Sequence, residues 1–136
     1  MKKAILFAFS CVLILGAAAQ SDFEVFASGS LKQVQEAIKK GTSVNEKGLN
    51  GRKPLMTAAE YNPDPEVISA MIKSGAKVDD KDSMGMSALM FAVQSNKNPK
   101  VAEALIKAGA RLEDRDLSGN TPLLIALRTD KGVELV

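Results

Sequence analysis

The chain has 136 residues, with 18 Lys and Arg against 16 Asp and Glu, no His, no Trp and a single Cys. Without histidine, His-dependent triads, Cys–His nucleophile pairs and the usual zinc ligand sets are excluded. A nearly balanced charge with 4% aromatic residues argues against nucleic acid or a membrane surface as the main partner.

The chain opens with Lys2 and Lys3, an apolar run from Ala4 to Leu15, then Gly16 and Ala17-Ala18-Ala19. A basic start, a short apolar stretch and a small-residue site form the pattern of a secretory signal peptide over residues 1–19, with cleavage expected after Ala19. The twelve-residue run falls short of the roughly 20 apolar residues that span a bilayer, so no membrane insertion is expected once the signal is removed. Cys11 lies inside the apolar run and not at its end, where a lipid-modified cysteine would stand. Cleavage leaves a mature chain free of cysteine, suited to an oxidising compartment, with 16 basic residues against 16 acidic ones. The expected localisation is therefore exported, periplasmic or secreted.

Residues 20–47 read as a shortened opening unit. Phe23, Val25, Phe26 and Ala27 suit a brief helix, and Ser30 to Ile38 a second one that ends at Gly41. Its polar positions Lys32, Gln33, Gln35, Glu36 and Lys39 suit the exposed cap of a stacked array. From here the sequence repeats itself at a shift of 34: Gly51, Gly85 and Gly119 align, as do Leu55, Leu89 and Leu123, and Ala58, Ala92 and Ala126. A period of this size signals a stacked repeat architecture. The units span 48–82, 83–116 and 117–136.

Each unit predicts two helices. In the central one, Ser87 opens the apolar run Ala88 to Val93; in the sister copies Pro54 and Pro122 stand at the first helical position. The second helix runs over Pro99 to Ala108, with Asn98 as its cap, Gly109 as its stop and Val101, Ala102, Leu105 and Ile106 on its buried stripe. Val67, Ile68, Met71 and Ile72 form the equivalent stripe in the preceding unit. The last unit breaks off at Gly132 to Val136, the start of a second helix, so its apolar face is expected to be partly uncovered and its end to fray beyond Thr129.

Lys53-Pro54-Leu55-Met56, Ser87-Ala88-Leu89-Met90 and Thr121-Pro122-Leu123-Leu124, with the tails Gly75-Ala76-Lys77-Val78-Asp79 and Gly109-Ala110-Arg111-Leu112-Glu113, resemble the ankyrin repeat. The resemblance covers Asp22 to the end. It implies an all-α ankyrin-repeat solenoid of stacked helix-turn-helix units with protruding β-turn tips, the last repeat incomplete. Two features depart from the family. Met56, Met90 and Leu124 replace the signature histidine, which implies thioether and aliphatic packing in its place, and one extra residue between the helices is expected to lengthen a surface loop.

The resemblance also implies a function: binding another protein through the turn tips and the concave face of the first helices. On this chain those positions are Leu49, Asn50, Arg52, Glu60 and Tyr61; Ser83, Met84, Met86, Gln94 and Ser95; and Leu117, Ser118, Asn120, Arg128 and Thr129. An inhibitor or immunity-type protein that blocks a partner enzyme is the alternative reading. No catalytic residue, cofactor or metal ligand is expected. Asp114 to Gly119 imitates half a calcium loop, but position twelve is Ile125 where a glutamate is required.

Overall fold

The computed structural model describes residues 17–129. Among these residues seven α-helices follow one another: α1 Ala17–Ser28, α2 Leu31–Lys39, α3 Pro54–Tyr61, α4 Pro65–Lys73, α5 Ala88–Ser95, α6 Pro99–Lys107 and α7 Pro122–Arg128. The first helices of successive units stack as one row, α1–α3–α5–α7, and the second helices as another, α2–α4–α6. The signal-peptide pattern falls mostly outside the described residues. Helix α1 includes residues ahead of the predicted Phe23, among them the alanines at 17–19, which are strong helix formers. The expected fraying beyond Thr129 likewise lies outside the described residues.

Sequence and helix ends agree closely. Asp64 and Asn98 cap α4 and α6 by accepting the amides of Glu66 and Lys100 at 2.9 and 3.1 Å, each with proline in the first turn. The hydroxyls of Ser87 and Thr121 accept the amides of Met90 and Leu124. Lys53 occupies the same place ahead of α3 and has no acceptor; there its own amide points at the Met56 sulfur, 3.4 Å away. Gly109 leaves α6 at φ 96°, in the left-handed region that ends helices at low cost.

The core is continuous through the stack and includes Phe26, Val34, Leu55, Met56, Val67, Ile68, Met71, Leu89, Met90, Val101 and Leu105. Met56 and Met90 thus fill interior space at the histidine positions. Leu124 does not: it is 43% exposed, together with Leu123 and Leu127, since no further repeat lies on α7 among the described residues. Ile106 also departs from its predicted burial, at 42% exposed. Its counterpart Ile72 packs against the core beside α6, whereas α6 is the last described helix of its row.

The extra residue between the helices corrects the loop expectation. Asn62 and Asn96 are buried, and each reaches back one repeat. The Asn62 amide group donates to the carbonyls of Phe26 and Gly29 at 3.1 and 3.0 Å; that of Asn96 donates to Ala59 and Asn62 at 2.8 Å each. Their side-chain oxygens accept the amides of Asp64 and Asn98. Every polar atom of each buried carboxamide is satisfied, as burial requires.

Asn96→Ala should therefore destabilise the protein by about 2–4 kcal/mol, since it strands two buried carbonyls and one amide. Asn98→Ala, at a half-buried cap, should cost only about 1 kcal/mol. Urea unfolding of the two variants measures the difference.

Candidate functional site

Between consecutive helix pairs the chain makes three tight tips. At the second, the Asp82 carboxylate accepts the amides of Met84 and Met86, both at 2.9 Å, and at the third Asp116 does the same for Ser118 and Asn120. Lys81 and Ser87 form an isolated antiparallel bridge across the second tip. In the first tip Gly48 replaces the aspartate and the turn closes through backbone bonds alone, with Asn50 at φ 59°. This left-handed position is one that Asn tolerates.

The tips are tied to one another by backbone. The Ser83 amide donates to the Asn50 carbonyl at 2.8 Å and that of Leu117 to Met84 at 3.0 Å. Gly85 makes this approach feasible, because a Cβ there would stand 3.1 Å from Asp116 Cα. The result is a row on which Leu49, Met84 and Leu117 are 67%, 58% and 73% exposed. Asn50, Ser83 and Ser118 are exposed beside them.

Below the tips lies the surface of the first helices. Arg52 is half-buried; its guanidinium lies 4.4 Å from the centre of the Phe91 ring and 5.7 Å from that of Tyr61. It forms an ion pair with Glu60 and donates to Thr57 at 3.1 Å. Arg52 therefore links the first tip, α3 and α5. Tyr61 itself is exposed, and partial burial together with the Glu60 carboxylate raises its pKa against the opposing pull of Arg52, so the phenol is neutral at pH 7.

The next interface differs. Met86, Gln94, Asn120, Arg128 and Thr129, with Asp116 and Ile125, line a pocket of about 240 Å³ between α5 and α7. Met86 corrects its predicted exposure: it is half-buried and packs against the core. Asn120 is also half-buried, its amide group turned to Asp116, and the Thr129 hydroxyl donates to the Ala126 carbonyl at 3.0 Å. Gln94, Ser95 and Arg128 are exposed, with Ser95 apart from the pocket at the end of α5.

Sequence reasoning passed over Phe91, Asp116 and Ile125 as framework. The signal was present in the 34-residue alignment, where Arg52 falls on Met86, Glu60 on Gln94 and Phe91 on Ile125. The half calcium loop is accounted for locally. Asp116 is engaged by its own turn, and Asp114 pairs with Lys81 at 3.6 Å. Among the described residues no group of three His, Cys, Asp or Glu side chains is placed to hold a metal, and no helix is long and apolar enough to cross a membrane.

The stacked helix pairs and their tied tips define a helical repeat solenoid, a class of protein–protein interaction module. The family model for ankyrin repeats matches residues 17–116 in three copies, and the chain belongs to the ankyrin-repeat family. No curated protein matches the chain in a sequence search.

The amides of Asn120 and Ser118 hold the Asp116 carboxyl below its ordinary value. A depressed folded-state pKa contributes stability above the unfolded value, near 4, that is lost as pH falls through the folded one. Acidification below about pH 4 should therefore loosen the third tip, seen as movement of the Ser118 and Asn120 amide resonances in an NMR pH titration. The same residues should be unchanged by millimolar calcium, as should the melting temperature.

Proposed function

We propose that this chain is an exported ankyrin-repeat module that binds another protein through its turn tips and the concave surface of α3, α5 and α7. The observation that carries the reading is the apolar row of Leu49, Met84 and Leu117. Three large apolar side chains stand exposed on tips whose backbones are already bonded to each other, with Tyr61 exposed below the first of them. Exposed apolar groups at regular spacing on a rigid support mark an interaction surface. The support is ordered before the partner arrives, so docking loses little conformational entropy. Export is supported by Lys2-Lys3, the apolar run and the alanines before Gln20. The module carries no chemistry of its own in this reading; its output is the position or the activity of the partner it holds.

Replacing Tyr61, Met84 and Leu117 together by Ser should weaken partner capture by about 100-fold or more. The melting temperature should stay within about 3 °C, because these side chains are exposed in the folded chain. A crosslinked pull-down from the exported fraction, paired with thermal unfolding, measures both. A large fall in melting temperature would assign these residues to tip packing instead. Mass spectrometry of the exported protein should give a chain beginning at or near Gln20.

A further inference from the structure

The α3–α5 and α5–α7 interfaces of the first-helix row are built on the same plan and completed differently. At the α3–α5 interface, the space under the tips is filled by Arg52, which lies over the Phe91 ring and meets the Glu60 carboxylate. Cation, acid and apolar surface all come from the chain itself. At the α5–α7 interface the corresponding residues are Met86, Gln94 and Ile125. The guanidinium has become a thioether, the acid a neutral amide and the ring a smaller side chain, and a pocket of about 240 Å³ remains open. A cation is nevertheless present: Arg128, on α7, lines that pocket and makes no ion pair among the described residues.

The geometry points to this pocket as a receptor for a glutamate side chain of the partner protein, its carboxylate on Arg128 and its methylenes against Met86 and Ile125. The inference rests on the protein-binding reading in that the glutamate belongs to a partner. Charge and shape agree on it. Buried Ile125 and half-buried Met86 give an apolar floor, which suits a stem of two methylenes. Exposed Gln94 and Arg128 give donors at the rim, and an arginine takes a carboxylate through two parallel hydrogen bonds. Asp116, the one acid lining the pocket among the described residues, feels the Arg128 charge but forms no ion pair with it: its oxygens accept the amides of Ser118 and Asn120 and the Asn120 side chain. A basic side chain would meet Arg128, and a purely apolar one would leave the Arg128 guanidinium without a directly bonded carboxylate. At the first interface the same need is met internally by Glu60, so only the second invites an acid from outside.

The test uses the full mature chain, labelled with ¹⁵N, and two probes: N-acetyl-glutamate N-methylamide and its neutral glutamine counterpart. The glutamate probe should bind in the millimolar range, shift the resonances of Gln94, Asn120 and Thr129, and bind about 5-fold or more tighter than the glutamine probe. Arg128→Gln, at an exposed position, should abolish that preference. Met86→Arg with Gln94→Glu and Ile125→Phe, which copies the first interface into the second, should lose both probes and keep its cooperative unfolding. Equal affinity for the two probes, shifts centred elsewhere, or a preference that survives Arg128→Gln would overturn the proposal. The two readings fail separately. If Arg128→Gln captures a partner as well as the unaltered chain does while the tip variant captures none, the pocket assignment falls and the protein-binding surface stands. If the probes discriminate as expected and no partner is captured by any form, the acid-selective pocket stands and its assignment to a protein ligand falls.

Discussion

A carbonyl at the end of a buried helix has no water to bond with, and in a stack of short helices such ends recur at every layer. Here the carbonyls of Phe26, Gly29, Ala59 and Asn62 are served by the carboxamides of Asn62 and Asn96 from the following repeat. Each of these side chains joins the end of one first helix to the start of the next repeat's second helix. Apolar burial is non-directional and by itself favours no single offset between layers. The two-pronged amide bonds are directional, and together with the backbone bonds between tips they hold the offset between layers whose cores include Leu55, Met56, Leu89 and Met90. The tips inherit that offset, and so do the surfaces hung from them.

Much of this was legible from periodicity. Aligning the chain with itself at 34 residues located the helix pairs, the caps at Asn98 and Ser87 and the stop at Gly109, because each depends on neighbours within a few positions. What stayed illegible depends on the adjacent repeat. Asn62 and Asn96, each ahead of a helix with proline in its first turn, have the composition of a surface loop; their burial is created by a helix end more than thirty residues earlier. Ile106 and Leu124 fail in the opposite sense. Their local pattern is that of core residues, and whether they are covered is decided by a repeat that would lie beyond them.

The candidate surface divided along the same line. Exposure of Leu49, Met84, Tyr61 and Leu117 followed from their places on turns and helix ends. The distinct characters of the α3–α5 and α5–α7 interfaces did not, because they arise from combinations of residues from neighbouring units. Arg52 looked like an exposed anchor and is instead spent on Phe91, Glu60 and Thr57. Met86, in the same register one repeat later, is half-buried against the core and leaves Arg128 beside an open cavity. One framework thus produces a closed, self-satisfied interface and an open one, through three substitutions at aligned positions.

The links between tips, from Ser83 to the Asn50 carbonyl and from Leu117 to that of Met84, are made by main-chain atoms alone. A link of that kind is indifferent to which side chain the residue carries, provided that it is not proline, which lacks the donor. The exposed side chains of Leu49, Met84 and Leu117 are accordingly not needed for these links, whereas the carboxylates of Asp82 and Asp116 still close their own turns. Mutations at those three positions can sample new chemistry without breaking the links between tips, so that over evolutionary time the crest can drift quickly while the fold beneath it stays fixed.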